Sequence, residues 1–221
     1  MGQMIPFGGG PTAGRGYMAS SARVGPCVIV LHEFFGLTDS FKRYADRLNE
    51  EEGFTVLAPD LYDGRIASNV EEATSFARSL DEDLTTAKAV EAIEHMRVNW
   101  HPRVGIVGFS LGTGYGMLAA NAAGADAVVV YYGAYYPVDD PTAAPWRVPL
   151  LGHYATNDEW ESLDDARPLF ERLGAEGVPA ELHTYDAGHW FANSDVPDAF
   201  DADAAELAWA RTVDFLSHHL S

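Results

Sequence analysis

Short continuous apolar runs alternate along the chain with longer segments in which apolar residues recur at helical spacing. Runs of this length are typical of strands that are covered on both faces of a sheet. The runs at 27–32, 55–58, 127–132 and 150–154, and the run that starts at Val104, predict such strands, whereas residues 17–20 predict a short edge strand and residues 180–185 a further strand.

The intervening segments have the periodicity and the end signals of helices. The predicted helices are a segment from 38–40 to near Gly53, then 70–80, 84–96, a helix directly after Ser110, 165–173 and 204–220. Alternation of strands and helices indicates an α/β fold with a mostly parallel sheet and helices on both faces. No linker or repeat divides residues 1–221, so we expect one domain. Residues 1–16 are rich in glycine and predict a loose lead-in.

The most informative motif is Gly-x-Ser-x-Gly at residues 108–112, between an apolar run and a helical segment. A serine on a tight strand-to-helix turn is the nucleophile elbow of the α/β hydrolases. The turn lifts Ser110 Oγ clear of the sheet and places it at a helix N-terminus, which favours developing negative charge. The alternative is a glycine-rich turn whose serine only caps the helix. We therefore expect Ser110 to be a nucleophile.

A serine nucleophile needs a base and an acid that orients the base, in the chain order Ser, Asp or Glu, His. Asp158 follows the strand at 150–154, and His189 follows the strand at 180–185. Both lie in loops at strand C-terminal ends, where open α/β sheets build their sites. Asp186 and Glu159 are alternatives to Asp158. The sequence therefore predicts a triad of Ser110, Asp158 and His189.

Charge and composition exclude several classes of partner. The net charge is −19, which disfavours nucleic acid and anionic membranes. An acidic cytosolic protein and adaptation to high salt both explain this charge. The only cysteine, Cys27, lies in an apolar strand, and no secretory signal is evident. We expect a cytoplasmic protein.

Two competing motifs fail on spacing. The segment 32–36 begins His-Glu but lacks the second histidine of a zinc-protease helix. The glycines at 105–116 do not have the spacing of a dinucleotide-binding turn. We therefore expect neither a metal nor a cofactor.

Several segments resemble the dienelactone hydrolase family. The matching pieces are 32–37, 58–62, 105–112, 131–133, 187–192 and 210–216. The resemblance implies an α/β hydrolase, commonly monomeric, that opens lactones or esters through an acyl-enzyme; we expect a monomer or weak dimer. It also implies an oxyanion hole at the N–H groups of Leu111 and Phe34. Glu33 matches a family glutamate that tunes the nucleophile; a structural partner for a backbone N–H or an arginine is the alternative.

Two positions depart from the family pattern. Ser110 stands where the type members have cysteine, and Asn193 stands where an arginine holds the substrate carboxylate. Arg65 and Arg78 are candidates for a second such arginine. Without an arginine at this place, the site lacks the two parallel hydrogen bonds by which a guanidinium binds a carboxylate. Dienelactone itself is therefore not the expected substrate.

The sequence as a whole predicts a serine hydrolase that acts on a small carboxylic ester or lactone. A thioesterase or peptidase on the same scaffold is one alternative, and a non-catalytic protein that binds a small ligand is another. Aromatic residues are candidates either for the substrate pocket or for the core: Tyr135, Trp146, Trp160 and Trp190.

Overall fold

The computed structural model describes residues 1–22, 24–133 and 145–221. The strands are β1 (Gln3–Phe7), β2 (Gly14–Ala19), β3 (Cys27–Leu31), β4 (Thr55–Pro59), β5 (Val104–Phe109), β6 (Ala127–Tyr131), β7 (Leu150–Ala155) and β8 (Ala180–Tyr185). The helices are α1 (Asp39–Glu50), α2 (Val70–Arg78), α3 (Glu82–Asn99), α4 (Leu111–Ala123), α5 (Leu163–Ala175) and α6 (Ala202–Leu220).

Over the described residues the strands form one eight-stranded sheet in the order β1-β2-β4-β3-β5-β6-β7-β8. Strands β3 to β8 pair in parallel, whereas β1 and β2 pair antiparallel at one side. The predicted α/β-hydrolase fold with a mostly parallel sheet is confirmed.

Each face of the sheet carries its own apolar core because side chains alternate along a strand. In β3, Ile29 and Leu31 point into one core, and Val28 and Val30 point into the other. The first core is covered by α3, α4 and α5, and the second by α1 and α6. The central strands are therefore buried on both faces, which explains their unbroken apolar runs.

The prediction of a loose lead-in over residues 1–16 is wrong. Residues Gln3–Phe7 form β1 and pair with β2, and a short 3-10 turn at Gly10–Thr12 lies between them. Gly8 and Gly10 have φ of 67° and 61°, so the glycines let the chain reverse direction here. The strand has little sequence signal because only Phe7 of its residues is buried. The strand predicted at 17–20 is therefore not at the edge of the sheet, because β2 lies between β1 and β4.

Other local features match the sequence pattern. Cys27 is fully buried in β3, and burial raises the pKa of its thiol to about 11, so it is a packing residue. No helix among the described residues has both the length and the apolar character needed to span a bilayer.

The parallel register aligns the carboxyl ends of the central strands. Leu31 pairs with Gly108, and Phe109 pairs with Tyr131. Further along the sheet, Ala155 pairs with Tyr185. The segments after β3, β5, β6, β7 and β8 therefore emerge at one edge, where open α/β sheets bind ligands.

Candidate active site

The turn after β5 has the geometry of a nucleophile elbow. Ser110 has φ of 44° and ψ of −115°, a conformation that L-residues rarely adopt. A Cβ on Gly108 would lie 2.7 Å from Thr113 Cα, and one on Gly112 would lie 2.5 Å from Leu31 O. The backbone therefore turns so tightly that only glycine fits on either side of the serine.

The three predicted triad residues are brought together by this edge of the sheet. Ser110 Oγ lies 3.0 Å from His189 Nε2, and His189 Nδ1 lies 2.7 Å from Asp158 Oδ2. The side chains of His189 and Asp158 are 4% and 1% exposed. Asp186, one alternative acid, instead accepts a hydrogen bond from Asn157 Nδ2 at 2.9 Å.

The hydrogen bonds of Asp158 fix its charge and the tautomer of the histidine. Its Oδ1 accepts from the N–H groups of Trp160 at 2.8 Å and Glu161 at 2.9 Å. Burial acts to raise the pKa of Asp158, but the bonds from His189 and from these N–H groups outweigh it and lower the pKa. An ionised Asp158 requires the proton of His189 on Nδ1, which leaves Nε2 free to accept the Ser110 proton.

Glu33 lies behind the triad and is fully buried. Its Oε1 accepts from Asn193 Nδ2 at 2.7 Å, and its Oε2 accepts from Tyr132 Oη at 3.2 Å. Burial raises the pKa of Glu33 to about 8, and these two bonds oppose the rise. Its partners are thus neutral side chains, neither a backbone N–H nor an arginine. The Tyr132 ring lies 4.8 Å from the His189 ring, which connects Glu33 to the triad.

His32 is a site-supporting residue whose role sequence reasoning missed. The buried ring donates from Nδ1 to Glu33 O at 2.7 Å and accepts the Leu61 N–H at Nε2 at 3.0 Å. Those partners require the neutral Nδ1–H tautomer, and burial lowers the pKa of the imidazole accordingly. His32 therefore ties the segment after β3 to the segment after β4. Its place in the family-matching segment 32–37 was the available signal.

Strained backbone recurs around the triad. Besides Ser110, Tyr132 has φ of 38° and Trp190 has φ of 64°. Gly133 packs against the elbow, since a Cβ there would lie 2.9 Å from Ser110 O. Unfavourable conformations of this kind concentrate at functional sites, where the surrounding structure imposes them.

Aromatic side chains surround the entrance to the site. The rings of Phe34 and Trp160 are 6.1 Å apart, and those of Trp160 and Trp190 are 5.4 Å apart. Trp160 is 52% exposed and also lies 6.3 Å from the His189 ring. Trp146 is a core residue, with its indole N–H donated to Val148 O. Tyr135 lies outside the described residues.

A cavity of about 310 Å³ adjoins the nucleophile. Its lining residues that matter for recognition are Ser110, Leu111, Tyr115, Leu118, Glu82 and Glu161. Arg65 instead lines a separate depression of about 280 Å³, and Arg78 lines a third one. Neither candidate arginine therefore lines the cavity beside Ser110. Glu161 was not singled out by sequence reasoning, because its place three residues after Asp158 had no evident meaning.

The two residues predicted to form the oxyanion hole lie at the start of α4 and in the segment after β3. Leu111 is the first residue of α4, where helical N–H groups have no intrahelical acceptor. Phe34 follows Glu33 in the segment after β3, which packs against the start of α4 at Gly112. Within the residues that the structure describes, no group of three or more His, Cys, Asp or Glu side chains is arranged to hold a metal ion.

Comparison with known proteins identifies the family of this chain. The sequence profile of the Dienelactone hydrolase family matches residues 15–220. The chain belongs to the dienelactone hydrolase family. It is 31% identical to the protein usf of Aquifex pyrophilus, with all of both chains covered. It is 29% identical to carboxymethylenebutenolidase 1 of Cupriavidus pinatubonensis, over 87% of this chain and 86% of the relative.

A solved structure shares the fold of this family member. It is that of a dienelactone hydrolase-like promiscuous phosphotriesterase from metagenomic libraries. The TM-score is 0.87 at 20% identity, and the match covers 100% of this chain and 99% of the other. The family membership makes this chain a hydrolase.

Proposed function

We propose that this hydrolase cleaves small carboxylic esters or lactones through an acyl-enzyme formed on Ser110. The observation that carries the proposal is the continuous chain of hydrogen bonds from Asp158 through His189 to Ser110 Oγ. A serine hydroxyl is a weak nucleophile near neutral pH, and this arrangement supplies the base that it needs. The carboxymethylenebutenolidase relative, whose name describes a lactone hydrolase, supports the substrate class.

Each residue has a defined part in the proposed reaction. His189 Nε2 takes the proton of Ser110 as Oγ bonds to the carbonyl carbon, and the N–H groups of Leu111 and Phe34 stabilise the oxyanion. The carbon–oxygen bond then breaks and His189 gives its proton to the leaving oxygen, which stays attached to the acyl group when the substrate is a lactone. Water, deprotonated by His189, releases the acid and restores Ser110.

Glu33 is assigned a supporting role in this proposal. It holds Tyr132 and Asn193 through its two carboxyl oxygens, and Tyr132 packs against the His189 ring. We infer that Glu33 tunes the nucleophile indirectly, by fixing these neighbours.

The same proposal describes a cytoplasmic enzyme, acting as a monomer or weak dimer on small molecules; its single buried cysteine supports a reducing compartment.

The test is hydrolysis of p-nitrophenyl acetate and butanoate by the wild type, Ser110→Ala and the matched control Ser217→Ala, which changes an exposed serine of α6. We expect Ser110→Ala to lower kcat/KM by at least about 10³-fold and the control to leave it unchanged. A fluorophosphonate probe should label the wild type and Ser217→Ala but not Ser110→Ala. No labelling of any of the three proteins would support the non-catalytic scaffold instead.

The same three proteins distinguish the proposed esterase from a thioesterase and from a peptidase. Matched thioesters and aminoacyl amides are assayed beside the oxygen esters. A higher kcat/KM on the thioester or the amide, lost with Ser110, would make the protein a thioesterase or a peptidase with the same nucleophile.

A further inference from the structure

The cavity beside Ser110 has an uneven charge distribution. Among its described lining residues are two carboxylates, Glu82 and Glu161, and no lysine, arginine or histidine. Ser110 is one of the residues that line the cavity, so a group that occupies it lies close to the proposed nucleophile. The charges that line it therefore bear directly on substrate choice.

Glu161 is the more constrained of the two carboxylates. Its backbone N–H donates to Asp158 Oδ1 at 2.9 Å, so its position is fixed relative to the triad. Burial raises the pKa of its carboxyl to about 7, and repulsion from Asp158 and Asp165 adds to the rise. A partly desolvated anion that faces like charges is stabilised by a cation, and the empty volume beside it is where a cation would fit.

The remaining surroundings reinforce the negative potential. Glu82 is exposed at the start of α3, on the rim of the cavity. The net charge of the chain is −19, which attracts cations over a longer range.

The apolar part of the lining suits an alkylammonium group. Leu111 and Leu118 offer contacts for methyl and methylene groups, and Tyr115 offers an aromatic ring whose face attracts cations. The two lining carboxylates would repel a substrate that bears a carboxylate, and no guanidinium among the described lining residues would offset that repulsion.

We propose that this cavity receives the positively charged part of an ammonium-bearing ester or lactone, and that Glu161 determines the preference. The inference rests on the proposed function, since it assigns a substrate class to the same serine. The ammonium group takes no part in the bond changes: the acyl carbon–oxygen bond is broken as in any other ester, and the cation only positions the substrate.

Three p-nitrophenyl esters with the same leaving group test the proposal from the acyl side. They are the 4-(trimethylammonio)butanoate, its uncharged isostere 5,5-dimethylhexanoate, and the anionic half-ester of glutaric acid. From the alcohol side, acetylcholine is compared with its uncharged isostere 3,3-dimethylbutyl acetate. We expect kcat/KM for the cation to exceed that for its isostere by about tenfold or more in at least one series, with the anion slowest. Ratios at or below one in both series overturn the proposal.

The variant Glu161→Gln identifies the residue responsible. It should reduce the cation-to-isostere ratio to near one. The matched control Glu171→Gln removes the same charge from the exposed side of α5 and should leave the ratio unchanged. Equal ratios in the wild type and Glu161→Gln would refute the assignment to Glu161.

The pH dependence of the ratio gives a readout that a structural role would not move. As pH falls from 8 to 6, Glu161 gains a proton and the ratio should decline. Any titration that acts on the bond-breaking step common to both esters cancels in the ratio. The other titratable groups near Glu161 are Asp158, Asp165, Tyr154, Glu82 and Tyr115. A ratio that is constant over this range contradicts the assignment.

Calorimetric binding separates failure of this proposal from failure of the proposed function. Choline is titrated against 3,3-dimethylbutan-1-ol on the wild type, Ser110→Ala and Glu161→Gln. If choline binds more tightly than the uncharged alcohol to the wild type and to Ser110→Ala, but not to Glu161→Gln, the cation site is supported even when no ester is hydrolysed. Hydrolysis that depends on Ser110, combined with no preference for either cation, leaves the proposed function standing and refutes the cation site.

Discussion

The segments after β3 and after β7 each place a buried carboxylate in the site, and the pKa values of the two carboxyl groups shift in opposite directions. The Asp158 side chain is 1% exposed and Glu33 is fully buried. The pKa of Asp158 is nevertheless lowered, whereas that of Glu33 is raised to about 8. Burial alone does not explain this difference, because it acts upward on both groups.

The difference lies in the donors that each carboxylate receives. Asp158 accepts from two backbone N–H groups and from His189, a side chain that can carry a positive charge. Glu33 accepts from one amide and one phenol, both neutral. Several donors, one of them able to carry charge, keep a buried carboxylate ionised, and two neutral donors do not. One edge of the sheet thus holds an acid that orients a base and an acid that is largely protonated at neutral pH.

The largest expected effect comes from Asp158→Asn. The new amide would donate to His189 Nδ1 and force the histidine proton onto Nε2. A protonated Nε2 cannot accept the serine proton. We expect kcat to fall roughly 10⁴-fold on p-nitrophenyl esters, as for the equivalent change in a serine protease. Asp186→Asn is the matched control and should retain activity. Loss of activity in the control alone would assign the orienting role to Asp186.

The next effect concerns the contact between the start of α4 and the end of β3. In Gly112→Ala, the new methyl group would meet the carbonyl oxygens of Leu31 and His32, at 2.5 and 2.6 Å, and neither backbone atom can move freely. We expect a loss of about 3 kcal/mol in the free energy of unfolding, measured with urea. Gly9→Ala, with no atom within 4 Å of its Cβ, is the control. Equal stability of the two variants would contradict the tight elbow.

Glu33→Gln tests the protonation state of the second carboxylate. Its pKa is about 8 in the folded protein and about 4.5 in the unfolded chain, so the unfolded state loses the proton first as pH rises. The wild type should therefore lose stability relative to Glu33→Gln between pH 5 and 8, by up to ~1.4 kcal/mol per pH unit. Asp158 contributes with the opposite sign, losing stability only as pH falls below about 4. A pH-independent difference between wild type and Glu33→Gln would refute the raised pKa.

The smallest effect comes from Tyr132→Phe. The change removes one neutral donor at 3.2 Å from Glu33, which should cost about 1 kcal/mol and raise the pKa of Glu33 further. Urea denaturation over the same pH range measures both consequences. A pKa of Glu33 that falls in this variant would show that the phenol does not stabilise the carboxylate anion.

Patterns among residues that lie close together in the sequence made the fold and the triad predictable. The apolar runs of β3 to β7 identify buried parallel strands, and the tight turn at Ser110 accepts only glycine at positions 108 and 112. The order of Ser110, Asp158 and His189 after successive strands follows from the way a parallel sheet gathers its carboxyl ends. These features depend on residues close together in sequence, so the sequence by itself determined them.

The remaining features were decided by the tertiary structure. Strand β1 exists because β2 offers it a partner, since only Phe7 of its residues is buried. The protonation of Glu33 depends on Asn193, which lies 160 residues away along the chain. The cavity that places Glu161 and Glu82 beside Ser110 joins residues from three separate segments. Burial and charge at these positions arise from neighbours that are distant in sequence, and no local pattern encodes them.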